Sequence, residues 1–287
     1  MKKAIAMADN CIDVYYRMDR YYLTGNSIDF ALNYKAQGGD VTEMTVLGND
    51  VFADALVERL KQRDIPLRVL KRIDRPTGMA KMDLVDGDKK HLEFHGNAME
   101  EIELSAEDME FVKGFDIVYA ERWAKAERYI AALRQPGQIW VYDFSKRLEQ
   151  PSNDALLPYL DYAFFSYDKD DDYIREFMRR TKAKGAGCVI AMLGEHGSLA
   201  YDGQSFYHQA AENVPVVNTV GAGDSYISAF LMNYLQMKAD ESMKSGNNIK
   251  QALEKAAEYA ATIVVKEGAL GIGYDVNPKK LSEIINI

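Results

Sequence analysis

The chain has 287 residues, 47% of them hydrophobic, and its 35 basic and 44 acidic side chains give a net charge of −9. That is ample apolar material for a sizeable core, in one large α/β domain or two small ones, and it is a folded rather than a disordered composition. The acidic balance, broken only by short basic runs such as Lys89-Lys90 and Arg179-Arg180, excludes a broad nucleic-acid footprint.

The first apolar run, Lys3–Ala8, is too short for a signal peptide, and a membrane span needs about 20 apolar residues. A cytoplasmic protein with no membrane partner is expected. Residues 14–23 are extended and rich in tyrosine. Residues 26–37 predict a helix, 43–47 a strand, and 51–63 a helix with Val51, Ala55, Leu56 and Leu60 at helical spacing. Between Thr77 and His95, Ala80, Met82 and Leu84 alternate with polar residues, Asp86-Gly87 marks a turn, and Leu92 and Phe94 alternate on the way back. That predicts a β-hairpin.

Ser105 with Asp108 three residues on carries a capping-box signature. Compact runs at 116–119, 138–144, 162–166 and 188–193 then read as strands separated by helices. Strands alternating with helices predict a doubly wound, mostly parallel sheet flanked on both faces. We expect one domain over 1–287, with segments 14–24 and 77–96 forming a small β lid that covers a site or serves a homodimer contact. Cys11 and Cys188 sit in apolar stretches and predict buried thiols; with four histidines and no paired-cysteine motif, a structural zinc site is not expected.

The segment with chemical content is Asn218-Thr219-Val220-Gly221-Ala222-Gly223-Asp224, ahead of a helix over 225–235. Small residues at a helix start present unpaired amides at the positive end of its dipole, a site for phosphate. An aspartate there is repelled by phosphate unless it has a task, such as accepting the proton of an attacking hydroxyl. No G-x-G-x-x-G follows the first strand, where Asp9-Asn10-Cys11 stands instead, which argues against a nicotinamide oxidoreductase.

This segment resembles the Asp-Thr-x-Gly-Ala-Gly-Asp signature of the ribokinase-like (phosphofructokinase-B) carbohydrate kinases, and other segments follow in that family's order. Asp9-Asn10-Cys11-Ile12-Asp13 is similar to its first βα turn, and Gly25-Asn26-Ser27-Ile28-Asp29 to its glycine-rich substrate loop. Pro76-Thr77-Gly78 opens the hairpin, Gly96-Asn97-Ala98 follows it, and Asp143 to Arg147 resembles a family Asp-x-Asn-x-Arg strand end. Leu193-Gly194-Glu195-His196-Gly197 is similar to a nucleotide-side loop, and Lys266-Glu267-Gly268-Ala269 to the loop beside adenine and a monovalent cation.

The resemblance implies a ribokinase-like fold and transfer of the γ-phosphoryl group of ATP, with magnesium, to a primary hydroxyl of a small sugar or sugar-amine. It implies Asp224 as the base, with Gly221, Ala222 and Gly223 as the anion site. Asp9, Asp13, Gly25, Asn26 and Asp29 fall to the substrate, and Gly194, Gly197, Thr219 and Gly268 to ATP. Within the family, the stretch from Asp9 to Tyr15, residues 141–145 and Trp123 resemble the fructoselysine 6-kinases, so 6-phosphorylation of a fructosamine is the expected reaction. Another sugar or nucleoside kinase of this fold, or a catalytically silent sugar binder, are the alternatives.

Four departures from the family pattern stand out. Thr24 replaces a glycine, and Asp29 stands where asparagine is usual and cannot donate when ionised. Asn218 replaces the leading aspartate that helps hold a monovalent cation, so potassium activation is expected to be weak. The Asn-x-x-Glu motif for magnesium-bound water is not recognisable near Ser166-Tyr167-Asp168-Lys169, and Asp168, Asp170, Asp171 and Asp172 read as a solvated helix start.

Overall fold

A computed structural model describes residues 2–85, 88–240, 248–268 and 274–275. In chain order its elements begin β1 (Lys3–Ala8), β2 (Cys11–Tyr15), β3 (Arg20–Thr24), α1 (Asn26–Ala36), β4 (Asp40–Leu47), α2 (Val51–Gln62) and β5 (Leu67–Arg72). Next come β6 (Gly78–Val85), β7 (Asp88–His95), α3 (Ala106–Lys113), β8 (Ile117–Glu121), α4 (Ile130–Leu133), β9 (Ile139–Asp143) and β10 (Tyr162–Ser166). The chain continues through α5 (Asp172–Ala183), β11 (Cys188–Met192), β12 (Ser198–Tyr201), β13 (Phe206–Gln209), α6 (Ala222–Ala239), α7 (Asn248–Val264) and β14 (Tyr274–Asp275).

The large sheet runs β13-β12-β11-β10-β9-β8-β1-β4-β5, and the small one β14-β3-β2-β6-β7. From β5 to β11 the large sheet is parallel, and its inner strands β1, β8, β9, β10 and β11 are short runs of mostly apolar residues because both faces are covered, whereas the edge strand β5 is only partly buried. On one face α1, α2, α6 and α7 supply Phe30, Leu56, Phe230 and Leu253; on the other α3, α4 and α5 supply Val112, Leu133 and Phe177. This is a doubly wound fold. The last two strands turn antiparallel, which the sequence reading did not include. The β11–β12 connection is too short for the crossover that a parallel pair needs.

β1 lies between β4, reached through the first half of the chain, and β8, which starts the second half. The crevice at the carboxyl ends of β1 and β8 is therefore the topological switch point, where ligands bind in such sheets.

Two expectations are corrected. Residues 9–13 do not form a βα turn: Ala8, with a φ of 106°, swings the chain out of the large sheet and straight into β2 of the small one. Residues 14–24 are not a single extended stretch, because β2 and β3 pair as an antiparallel hairpin. On β2, Ile12 and Val14 pack to one side with Leu23 and Met79, while Tyr15 packs to the other with Tyr22, Ala80 and Met82. The alternation buries both sides, so a strand is preferred over a turn. β6 and β7 pair as expected, and the Asp86-Gly87 turn lies outside the described residues. Both cysteines are free and buried, and no helix among the described residues is long and apolar enough to cross a membrane.

One carboxylate ties the small sheet to the large body. Asp50 caps α2 through the amides of Phe52 and Ala53 at 3.1 and 2.9 Å, and it accepts the Thr77 amide and hydroxyl at 2.6 and 2.7 Å where β6 begins. Asp50→Ala removes the cap and strands a buried amide, and should lower stability by about 2–3 kcal/mol. The urea midpoint measures it; a shift below a third of that would show that water replaces the tie.

Candidate active site

Three strands deliver a carboxylate to the switch point. Asp9 follows β1, Glu121 closes β8 and Asp143 closes β9, with Glu121 directly opposite Asp143 in the ladder. Two helix starts add Asp29 in the first turn of α1 and Asp224 in the first turn of α6. Asp13 on β2 approaches from the small sheet, near enough to raise the pKa of Asp29. All six are buried.

The geometry explains how a chain can collect so many. At Gly25, whose φ is 130°, a Cβ would lie 2.3 Å from the Asp9 carbonyl oxygen, so only glycine lets α1 start against the end of β1. The Asn26 amide then donates to Asp9 Oδ2 at 3.1 Å, and the Asn26 side chain to Asp143 Oδ2 at 3.3 Å. Ser27 Oγ donates to the Asp9 carbonyl at 2.9 Å. Asn10 anchors the turn from below through the Val46 carbonyl at 2.7 Å. Asp29 does not cap its helix; its Oδ2 accepts from the Thr24 hydroxyl at 2.6 Å. Thr24, a departure from the family's glycine, thereby has a partner in the other departure.

α6 begins at Ala222, three residues earlier than the sequence reading, with Gly221 before it at a φ of 71°. Gly221 needs glycine's freedom in that left-handed conformation. The Ala222 amide turns back on the Thr219 carbonyl at 3.3 Å. Among the described residues, the amides of Gly223 and Asp224 are left as donors in the helix's first turn. Asp224 Oδ1 accepts from the Tyr119 hydroxyl at 2.9 Å. Tyr119 itself stacks on Phe30 at 4.1 Å, so α1 and β8 fix the carboxylate of α6.

Burial is the largest cause of every raised carboxyl pKa here. It pushes Asp9 and Asp143 to about 6 against the Asn26 and Ser145 amides, and Asp29 to about 8 with help from Asp13 and Asp9. Glu121 is driven well above the carboxylate range by burial and then by Asp9, Asp143 and Asp224, and Asp224 by burial and then by Asp29, Asp143 and Asp9. Asp9 Oδ1 and Asp29 Oδ1 are buried acceptors with no hydrogen-bond partner among the described residues.

The nucleotide-side residues are placed less tightly together. Gly194 and Gly197 sit in the β11–β12 connection, and Gly223 adjoins it, a Cβ there lying 3.5 Å from Met192 at the end of β11. Gly268 packs instead on Tyr22 of the small sheet, beside Glu267, which pairs with Arg20; Ala269 lies outside the described residues. Asn218 Oδ1 accepts the Val220 amide at 2.8 Å, so its oxygen is occupied within its own loop. Asp171 caps α5 through the Ile174 amide and Asp170 pairs with Arg175, as a helix start requires. Among the described residues no group of three or more histidine, cysteine or acidic side chains is arranged to hold a metal ion.

Tyr119 belongs to the arrangement but was not among the expected site residues; Glu121, with Arg122, stands at a strand end where substrate contacts are expected in this fold, and Asp143 opens the segment that resembles the family strand end. An acidic residue closing an apolar strand is a readable signal for Glu121 and Asp143. Tyr119 has none, since a tyrosine within such a strand is ordinary core.

The fold, the crevice and the helix start with its carboxylate define a sugar kinase of the ribokinase-like type. The chain belongs to the pfkB family of carbohydrate kinases, whose model matches residues 17–272. It is 31% identical over 269 residues to the fructoselysine 6-kinase of Escherichia coli, covering 94% of this chain and all of that one. It is 29% identical over 278 residues to the fructosamine kinase FrlD of Bacillus subtilis, covering 95% and 94%. The solved ribokinase of Arabidopsis thaliana, complexed with ribose and ATP, superposes with a TM-score of 0.75 at 18% identity, covering 100% and 99%. The chain is an ATP-dependent carbohydrate kinase.

The raised pKa values set the sign of a pH effect. A carboxyl raised from 3.8 in the folded state stabilises it fully below about 4, and that contribution is lost as pH rises through the folded value. The unliganded protein should therefore lose stability from pH 5 to 8.5, through about 6 for Asp9 and Asp143 and about 8 for Asp29. Urea denaturation at the two pH values reads it. Asp29→Asn should narrow the difference; an unchanged difference would take Asp29 out of the account.

Proposed function

We propose that this kinase phosphorylates the 6-hydroxyl of a fructosamine, a sugar joined through a secondary amine to an amino acid. The observation that carries this reading is the pair of buried, unpartnered oxygens, Asp9 Oδ1 and Asp29 Oδ1, among further carboxylates. A neutral hexose needs one or two carboxylates to accept its hydroxyl protons. A fructosamine adds an ammonium at neutral pH, and the buried acids outnumber the cation that acts on Asp29 from within the protein, Arg59. One such pair at about 4 Å is worth about 1–4 kcal/mol between water-like and partly screened surroundings. The names of the Escherichia coli and Bacillus subtilis relatives support the same substrate class.

In this reading Asp13 takes sugar hydroxyls, with Gly25 and Asn26 forming the loop beneath them, and Asp9 or Asp29 takes the amine. Tyr119 occupies Asp224 Oδ1 and leaves Oδ2 for the 6-hydroxyl. The hydroxyl gives its proton to Asp224 as its oxygen bonds to the γ-phosphorus and the bond to ADP breaks. The Gly223 and Asp224 amides face the charge that develops, and Thr219, Gly194 and Gly197 line the ATP side. Asp224 must be ionised to act, so positive charge brought by the ligands has to lower its pKa first. Magnesium carried on the nucleotide phosphates supplies part of that charge; such an ion keeps several waters and needs few protein ligands. Asn218 offers a cation no full negative charge, so potassium has little to add.

Asp224→Asn keeps the shape but cannot take the proton, so turnover should fall roughly a hundredfold to ten-thousandfold. ATP affinity should change little, because backbone amides make the anion site. Near-normal turnover in that variant would remove Asp224 as the base. On substrate, kcat/KM for fructoselysine should exceed that for fructose by roughly fivefold to several-hundredfold, the range of one such ion pair. The gap should shrink in Asp9→Asn or Asp29→Asn. Equal efficiency on the two sugars, or a preference for ribose, sinks the fructosamine reading and leaves the kinase intact.

A further inference from the structure

Beside the carboxylate crevice lies a group of opposite charge. Arg122 follows Glu121 at the end of β8, and Arg147 comes four residues after Asp143 at the end of β9, the neighbouring strand. Neither guanidinium has a carboxylate partner among the described residues, in a chain where most other arginines do. They stand close enough that the charge of Arg122, after burial, holds Arg147 below its ordinary pKa. Two guanidiniums in each other's field, one of them half-buried, repel each other, and at Arg147 burial and that repulsion outweigh the opposing pull of Glu121 and Tyr142, which favours an added anion.

An apolar wall leads to them from the sugar end. Asp13 on β2 is registered with Ala80 on β6, and Ala80 with Phe94 on β7, so the three side chains form one row across one face of the small sheet. Phe94 packs on Trp123 at 5.3 Å, and Arg122 lies over the Trp123 ring at 4.7 Å. Phe94 is 45% exposed, an apolar ring left partly open at the end of that row. The row therefore runs from a carboxylate, over aromatic surface, to a guanidinium pair.

We infer that Arg122 and Arg147, walled by Trp123 and Phe94, form a subsite for the carboxylate of the amino-acid arm, and that the preferred acceptor carries its sugar on a side-chain amine. The inference rests on the fructosamine reading and deepens it. Asp9 and Arg147 belong to the ends of β1 and β9, two strand spacings or about 10 Å apart across the sheet. A lysine arm spans such a distance with its methylenes on the aromatic wall. A conjugate through the α-amine puts its carboxylate next to the nitrogen and cannot reach.

The test compares kcat/KM, by ATP consumption, for Nε-fructosyl-lysine, fructosyl-cadaverine, which has the same arm without the carboxylate, and Nα-fructosyl-glycine. The lysine conjugate should lead each of the others by roughly tenfold or more, the scale of one charge-assisted bidentate contact. In Arg122→Gln, an exposed position that keeps the fold, and in Arg147→Gln, the ratio of lysine to cadaverine conjugate should fall toward one. Arg147→Lys, which keeps the charge without the fork, should retain part of it. Equal use of the lysine and cadaverine conjugates by the unmodified protein overturns the subsite while the fructosamine reading stands. A ratio that survives in both glutamine variants overturns its assignment to the arginines. Turnover of neither conjugate, with another sugar accepted, overturns the fructosamine reading and the subsite together.

Discussion

Everything in this molecule turns on negative charge held out of water. Asp9, Asp29, Glu121, Asp143 and Asp224 are each buried, and burial is the leading cause of each raised pKa. Carboxyls in that state hold protons to higher pH than they would in water, Asp29 to about 8 and Asp9 and Asp143 to about 6, and some of their oxygens are left as unsatisfied acceptors. Ligands that bring positive charge relieve that state. In the proposed reading a substrate ammonium and a nucleotide with its metal would both do so, before Asp224 loses its proton and serves as a base. Binding and catalytic readiness are thus linked through one electrostatic constraint.

The scaffold tolerates this strain because the elements that carry it are fixed from behind. α1 is buried along nearly its whole length and α6 through its first two and a half turns, and they pack on each other and on the same sheet face. Their amino-terminal ends meet at the crevice, where the partial positive charge of a helix start favours an anion. The two effects oppose one another at Asp224: the helix start favours its ionised form, while burial and the neighbouring acids disfavour it. Burial and the nearby Asp29, Asp143 and Asp9 outweigh the helix start, and the Asp224 carboxyl is raised well above the carboxylate range.

Much of the architecture could be read from the chain. Compact apolar runs marked the parallel strands β8 to β11, and the small residues before α6 marked a helix start with free amides. What could not be read depends on contacts between distant segments. The alternation at residues 11–15 suits a turn or a strand equally until Met79 and Ala80 from far along the chain cover its two sides. Gly25 looks like any loop glycine until the Asp9 carbonyl is found against it. Tyr119 carries no local sign of its bond to Asp224, 105 residues away.

The small sheet makes the electrostatics depend on conformation. It brings Asp13, Cys11 and Tyr15 over the crevice, and the fields of the buried acids reach them: Asp9, Asp13 and Asp29 all raise the pKa of Cys11. Asp50 hinges it to α2, and at the other margin Arg20 and Tyr22 meet Glu267. Swinging that sheet away would let water reach the carboxyls, and because burial dominates their pKa values they would shed protons to it. Closing again over a neutral ligand would force those protons back, whereas closing over an ammonium would leave the acids ionised and paired. In the proposed reading, selection for a cationic acceptor therefore needs no contact beyond the acids themselves. It follows from covering them.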